Sequence, residues 1–287
     1  METVTRIHAL RERVSSWRQL GLTVGLVPTM GNLHQGHFKL VTEARQHADR
    51  VVVSIFVNPL QFGPNEDYAD YPRTPRADAE LLDKAAADLL FQPEVAEIYP
   101  ADHERGTVVD VPQLSGILCG AFRPGHFAGV ATVVTKLLCI VQPQVAVFGE
   151  KDYQQLTIVR RVVGDLCLAT EIVSVPTVRE SDGLAMSSRN RYLTAAERTA
   201  APALHRALLG AKERVEGGDA NFDAIQQSGM RALEAAGFKP QYFAVMQAND
   251  LQPANARSRE LVILAAAKLG KARLIDNVRA ERKQVDS

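Results

Sequence analysis

Val24-Gly25-Leu26-Val27-Pro28-Thr29-Met30-Gly31-Asn32-Leu33-His34-Gln35-Gly36-His37-Phe38-Lys39-Leu40 sets the architecture of this chain. A short apolar run, a glycine-bearing turn and a second apolar periodicity follow one another. That order reads as buried strand, turn and helix. The start of such a helix gathers backbone N–H groups and the positive end of the helix dipole at one point, a natural seat for phosphate. His34 and His37 stand one helical turn apart and can face the same way. Two imidazoles beside a phosphate seat suit a reaction in which negative charge grows on phosphoryl oxygens. On the residues alone, an ordinary strand–helix turn with two surface histidines fits equally well.

Outward from this turn, strand-like and helix-like runs alternate. Candidate strands are Thr23–Val27, Val51–Val57, Asp88–Phe91, Val108–Val111, Gln144–Phe148 and Glu171–Val175. Candidate helices are Ile7–Leu20, Gly36–Ala48, Arg76–Ala86, Gly129–Val141 and Tyr153–Leu166. Apolar, β-branched strands separated by amphipathic helices predict an α/β fold, a Rossmann-like doubly wound parallel sheet. Ligands of such sheets sit beyond the C-terminal strand ends. The alternation stops near Pro176. Helix-like stretches Ala195–Val215 and Phe222–Ala236 are followed by strand-like Gln241–Met246, Leu261–Ala267 and Arg273–Asn277. This predicts a second, smaller α+β domain, with residues 1–176 and 177–287 as the two parts and a small-molecule cleft where they meet.

Composition limits the function. The 287 residues, 46 % of them apolar, suffice for a real core. Lysine plus arginine balance aspartate plus glutamate, 33 against 33, and no long basic run occurs. Nucleic acid is therefore not an expected partner. Cys119, Cys139 and Cys167 form no CxxC pair and read as reduced thiols of a cytoplasmic protein. No apolar stretch is long enough to span a bilayer, so no membrane is expected.

Further blocks carry chemistry. Gly149-Glu150-Lys151-Asp152 lies where a strand ends and a helix begins. Its glycine allows close backbone approach, and Lys151 can set a positive charge against a transferring phosphate. In Met186-Ser187-Ser188-Arg189, two hydroxyls and a guanidinium can clamp phosphate oxygens, or form a capping cluster. Gln61, in Asn58-Pro59-Leu60-Gln61-Phe62-Gly63, and Gln155, one turn past Lys151, can read a hydroxyl or carboxylate without adding charge. No metal-ligand set is read from the sequence.

His34-Gln35-Gly36-His37 resembles the HxGH motif of nucleotidyltransferases and class I aminoacyl-tRNA synthetases. The wider string resembles the pantothenate synthetase family, in which it runs close to PTMGxLHxGH. Phe56–Gly63, Arg123-Pro124-Gly125-His126-Phe127-Ala128-Gly129-Val130, Phe148–Gln155 and Met186–Asn190 match other blocks of that family in order. The resemblance is dense to Asn190 and thin beyond. The Met186 block lacks both lysines of the wider KMSKS loop but matches the narrower family.

The resemblance implies an ATP-dependent ligase joining (R)-pantoate and β-alanine through a pantoyl adenylate. It implies ATP contacts at Met30, Gly31, Asn32, Leu33, His34, Gln35, Gly36, His37, Gly149, Glu150, Lys151, Asp152, Val178, Met186, Ser187, Ser188 and Arg189. His34, His37 and Lys151 are the implied catalytic groups, with His37 handling protons. Gln61 and Gln155 are the implied pantoate contacts, the first also touching β-alanine. Arg123 and His126 would lie by that pocket, and Asp67–Arg73 would be a mobile loop. Mg²⁺ would ride mainly on the ATP phosphates, the C-terminal domain would act as a lid, and the protein would be a homodimer through its N-terminal domain, with Val108–Leu118 as an exposed apolar segment. Two other readings stand beside it: another HxGH nucleotidyltransferase acting on a phosphorylated cofactor precursor, which would need extra cationic groups, and a non-catalytic nucleotide-binding protein, which would be expected to have lost the histidines, Lys151 or the serines.

Overall fold

A computed structural model describes residues 1–64, 66–100 and 106–283. The chain divides into two compact units, Met1–Gly149 with Ile158–Pro176, and Glu150–Thr157 with Thr177–Ser287.

The first unit is built on six strands: β1 (Glu2–Val4), β2 (Val24–Thr29), β3 (Arg50–Ile55), β4 (Leu89–Phe91), β5 (Val145–Gly149) and β6 (Glu171–Val175). They lie in the order β1-β4-β3-β2-β5-β6, and every pairing is parallel. Parallel neighbours need crossovers, and helices supply them. These are α1 (Ile7–Gln19), α2 (Gln35–His47), α3 (Pro75–Lys84), the short α4 (Val95–Ile98) and α5 (Pro112–Ser115), α6 (His126–Val141) and, from Ile158 onward, α7 (Tyr153–Asp165). Helix α1 packs against α6, and α2 against α3. Val27, Val41, Val51, Val53, Leu82, Leu90 and Val147 form one apolar cluster, which ties strands to helices as the β-branched runs predict. The chain runs outward from β2 to β3 and β4, then returns to place β5 on the other flank of β2. The strand order therefore reverses between β2 and β5, the switch point where such sheets bind ligands.

Val108–Val111 is not a strand. Pro112 follows it, and Val109 donates its N–H to Thr132 Oγ1 on α6 at 2.9 Å instead of to a ladder. Conversely, Glu2–Val4 pairs with β4 although it is short and mostly exposed.

The second unit contains α8 (Ala195–Ala200), α9 (Ala203–Glu216) and α10 (Phe222–Ala235), then β7 (Lys239–Gln247), β8 (Glu260–Leu269) and β9 (Ala272–Glu281). The three strands form an antiparallel sheet in the order β7-β8-β9. The single helix expected over Ala195–Val215 is two, because Pro202 cannot continue a helical ladder. Leu204, Leu208, Ile225, Leu233, Ile263 and Leu274 pack α9 and α10 onto the sheet.

Candidate active site

The turn after β2 is held from below. Gly31 and Asn32 have φ values of +80° and +50°. A Cβ on Gly31 would come within 3.0 Å of Ile55 Cγ2, so glycine is required on two counts. The buried carboxylate of Asp78, on α3, accepts Asn32 N–H at 3.0 Å, Leu33 N–H at 2.7 Å and the Thr74 hydroxyl at 3.0 Å. His34 Nδ1 accepts Gly36 N–H at 3.1 Å, and His37 Nδ1 accepts His34 N–H at 3.2 Å. The N–H groups expected to form an open phosphate seat are thus engaged internally at Asn32, Leu33, His34 and Gly36. What the turn presents is side-chain chemistry, chiefly the two imidazoles.

Gln61 is set beside this turn. It closes a short 3₁₀ turn, Pro59–Gln61, after β3, with Asn58 as cap. Asn58 Nδ2 donates to Gln61 Oε1 and to Gly129 O, both at 3.1 Å, while Tyr99 OH donates to Asn58 Oδ1 at 2.9 Å. Burial pushes the Tyr99 phenol well above its ordinary value, which keeps it a donor. With Oε1 occupied by Asn58, the Gln61 amide turns its Nε2 toward Met30 Sδ, 3.1 Å away. A Cβ on Gly129 would sit 2.3 Å from Leu60 O, so α6 reaches this turn only through a glycine. The HxGH block and the Asn58–Gly63 block therefore meet at Met30 and Gln61.

Arg123 and His126 hold the Gln61 backbone. His126 Nδ1 donates to Gln61 O at 2.8 Å, and Arg123 Nη2 reaches the same oxygen at 3.3 Å. Arg123 Nη1 donates to His126 Nε2 at 2.9 Å, while its other edge grips Glu66 at 2.5 and 2.6 Å. Burial raises the Glu66 carboxyl, but hydrogen bonding and charge from Arg123 outweigh it and leave the group below the usual carboxylate range. The Asp67–Arg73 segment closes on itself, with Arg73 donating to the carbonyls of Tyr68, Ala69 and Tyr71.

Gly149 ends β5, beside β2. A Cβ there would meet only Leu40 Cδ2, at 3.9 Å, so nothing in the fold itself demands glycine at this strand end.

The remaining residues of interest belong to the second unit. Lys151, in the turn Glu150–Asp152, lies 3.7 Å from Asp152 Oδ2, and its side chain is about one-fifth exposed, 21 %. Gln155 follows one turn later on α7 and is half-buried. A hairpin pairs Arg179 with Ala185, and Met186 N–H donates to Val178 O at 2.9 Å, which brings Val178 to the Met186–Arg189 segment. Ser187 caps the following 3₁₀ turn through Arg189 N–H at 3.3 Å. Capping occupies one acceptor site of that hydroxyl and leaves its proton for another partner.

The family model for pantoate–beta-alanine ligase matches residues 2–279. This chain belongs to the pantoate–beta-alanine ligase family. A pantothenate synthetase of Pseudomonas savastanoi is 53 % identical over 282 residues, covering 98 % of this chain and 100 % of the relative. One of Shewanella baltica is 54 % identical over the same length, with the same coverage. Among solved structures, the pantothenate synthetase of Thermus thermophilus superposes with a TM-score of 0.89 at 47 % identity, covering 97 % of this chain and 99 % of that one. The pantoate–beta-alanine ligase of Francisella tularensis, solved with a β,γ-ATP compound and β-alanine, gives 0.80 at 35 % identity, with 97 % of each chain covered.

For a pantoate–beta-alanine ligase, the sequence reading omitted three supporting residues. Asn58 had a usable signal, since asparagine directly before proline is a helix-start signature. Asp78 and Tyr99 had none. Each acts on a partner more than forty positions away, 45 for Leu33 and 41 for Asn58.

Proposed function

We propose that this ligase makes pantothenate in two steps. The carboxylate of (R)-pantoate attacks the α-phosphorus of ATP, forming pantoyl adenylate and releasing pyrophosphate. The amine of β-alanine, after losing its proton, attacks the acyl carbon and releases AMP. A carboxylate is already ionised near neutral pH, so the first step needs charge stabilisation and alignment more than a base.

The meeting of Gln61 with the HxGH turn carries this reading. Gln61 presents an N–H donor, suited to a carboxylate or hydroxyl oxygen, a contact away from Met30 of the nucleotide motif. The neutral Asn58–Gly63 block suits a hydroxy acid that carries no phosphate better than a phosphorylated precursor. His34 and His37 supply donors for the phosphoryl oxygens, with His37 handling the proton of the second step. Lys151 supplies the cation, and Ser187, Ser188 and Arg189 clamp the phosphates. Gly149, Glu150 and Asp152 line the nucleotide, and Val178 meets its base through the backbone. Gln155 shares pantoate with Gln61, which also meets β-alanine.

Mg²⁺ is assigned to the ATP phosphates. Among the described residues no group of three or more His, Cys, Asp or Glu is arranged to hold a metal ion, so no protein ligand is assigned and no step is routed through the ion. Residues 1–176 are assigned to nucleotide and pantoate binding and 177–287 to a lid. A cytoplasmic homodimer, associating through the N-terminal domain, completes the reading. Its supports are the three free cysteines and the exposed apolar Val108 and Phe122. Among the described residues no helix is long and apolar enough to cross a membrane.

The deciding assay compares pyrophosphate release with (R)-pantoate and with other hydroxy acids, then follows AMP and pantothenate on adding β-alanine. Release that ignores the acid, or no pantothenate by mass, sinks the reading.

A further inference from the structure

Asp276 and Asn277 are adjacent on β9 and buried, at 3 % and 6 % exposure. Neighbouring strand residues face opposite sides of a sheet, so one pair can serve two different segments. Asn277 Nδ2 donates to Glu150 O at 2.8 Å and to Lys151 O at 3.0 Å. Arg279, on the same side as Asn277, adds an ion pair to Glu150 at 2.8 Å and lies over the Tyr153 ring. Asp276 takes Arg179 in a two-pronged pair at 2.6 and 2.9 Å. Arg179 also donates to Gly183 O at 3.0 Å, closing the hairpin that leads into Met186–Arg189.

Two consecutive residues of one strand therefore fasten the Lys151 turn and the Met186–Arg189 hairpin. Both attachments are to backbone or to a guanidinium, with both Asn277 amide protons and both Asp276 oxygens engaged, which makes them stiff. We propose that Asp276 and Asn277 are positioning residues of the ligase reaction. Asn277 sets the place of Lys151 by holding its backbone. Asp276 sets the place of Ser187, Ser188 and Arg189 through Arg179. The strand keeps the cation and the phosphate clamp at fixed separation. This rests on the reading in which Lys151 and the clamp meet ATP. Small misplacements at such a centre cost on the order of 10²-fold in rate.

The test is a kinetic double-mutant cycle on the full chain, read as pantoate-dependent exchange of pyrophosphate into ATP. Asn277→Ala should lower the exchange rate constant by ~10- to 100-fold and change the pantoate KM by less than about twofold. Adding Asn277→Ala to Lys151→Ala should cost nothing further, because both remove one positioned charge. Losses that multiply, or a single variant with full exchange, overturn the proposal. Asp276→Asn combined with Arg189→Ala should show the same non-additivity. If melting shows Asn277→Ala unfolded, Asn277→Asp, which keeps the volume but sets an oxygen against two carbonyls, takes its place in the cycle. A Lys151→Ala enzyme with wild-type exchange would instead remove the assignment of Lys151, and the proposal with it.

Discussion

His37 accepts the backbone N–H of His34 at its Nδ1, 3.2 Å away, and the two rings stand 4.2 Å apart. His34 in turn accepts Gly36 N–H at its own Nδ1, so the pair closes the start of α2 as a reciprocal capping box. Each Nδ1 must keep its lone pair for this, so each neutral ring presents its Nε2–H outward, and His37 takes up a proton in the second step only by releasing the His34 N–H from its Nδ1. The local structure thus decides which edge each imidazole offers to an anionic oxygen.

Capping and chemistry separate by substitution. Asparagine is a strong cap and can place its side-chain oxygen where Nδ1 lies, but it has nothing at Nε2. His34→Asn should therefore melt near the wild-type temperature while turnover falls by at least ~10²-fold. His37→Ala should lose similar turnover and, in addition, about 1 kcal/mol of stability with the cap. Melting curves and AMP release measure the two effects. Wild-type turnover in His34→Asn would reduce that histidine to a structural cap.

Gln61→Ala should raise the pantoate KM and leave the ATP KM nearly unchanged. A lost polar contact of this kind is worth ~1–3 kcal/mol. Tyr99→Phe should shift the pantoate KM in the same direction by less, since it only loosens Asn58, which orients the Gln61 amide. Initial rates with each substrate varied in turn decide it. A rise confined to ATP would put Gln61 in the wrong pocket.

The sheet and its helices were legible because their periodicity is local. Val24–Val27 and Gln35–His47 announce themselves within a dozen residues. Glu2–Val4 did not, because a short edge strand needs no apolar run when only one neighbour pairs with it. Val108–Val111 misled for the opposite reason: it is β-branched, but its N–H goes to Thr132 and Pro112 ends it. The motif residues could be read from their family pattern, whereas their supports could not. Asp78 looks like one more acid on an amphipathic helix, and Asn277 like one more polar residue on a strand. Asn277 and Lys151 lie 126 positions apart in the chain, and no local periodicity records that pairing.

Asp78→Ala should weaken both the fold and nucleotide use. The buried N–H of Asn32 and the part-buried N–H of Leu33 lose their acceptor, at about 1–3 kcal/mol for the buried one and less for the other. The carboxylate that braces Asn32 at positive φ is then gone. Denaturant unfolding should show the stability loss, and the ATP KM should rise together with it. Asp78→Asn, which keeps one acceptor oxygen but sets an NH₂ against a donor, should fall between. An Asp78→Ala protein with unchanged ATP KM would show that the turn holds its shape without the carboxylate.

His205 should make stability depend on pH near neutrality. Its ring lies on α9 against the Gly183 turn, where a Cβ on Gly183 would come within 2.7 Å of its Nδ1. Burial lowers its pKa from the ordinary 6.5, the Arg179 charge lowers it further, and Asp276 opposes both. The folded chain therefore binds this proton less readily than the unfolded chain. Where the unfolded state binds more protons, stability rises with pH, so the contribution is complete above about pH 6.5 and is lost as pH falls below it. Glu66, Asp182 and Asp219 are shifted below their ordinary values of 4.5, 3.8 and 3.8, so their contributions fade only in the more acidic carboxylate range. Melting temperatures taken from about pH 7 down to about pH 5 cover the histidine range, and comparison with a variant singles out His205. The wild-type Tm should fall across that interval, and His205→Gln, which keeps a polar side chain without the titration, should fall less. Parallel curves for the two proteins would mean that the pH dependence arises elsewhere.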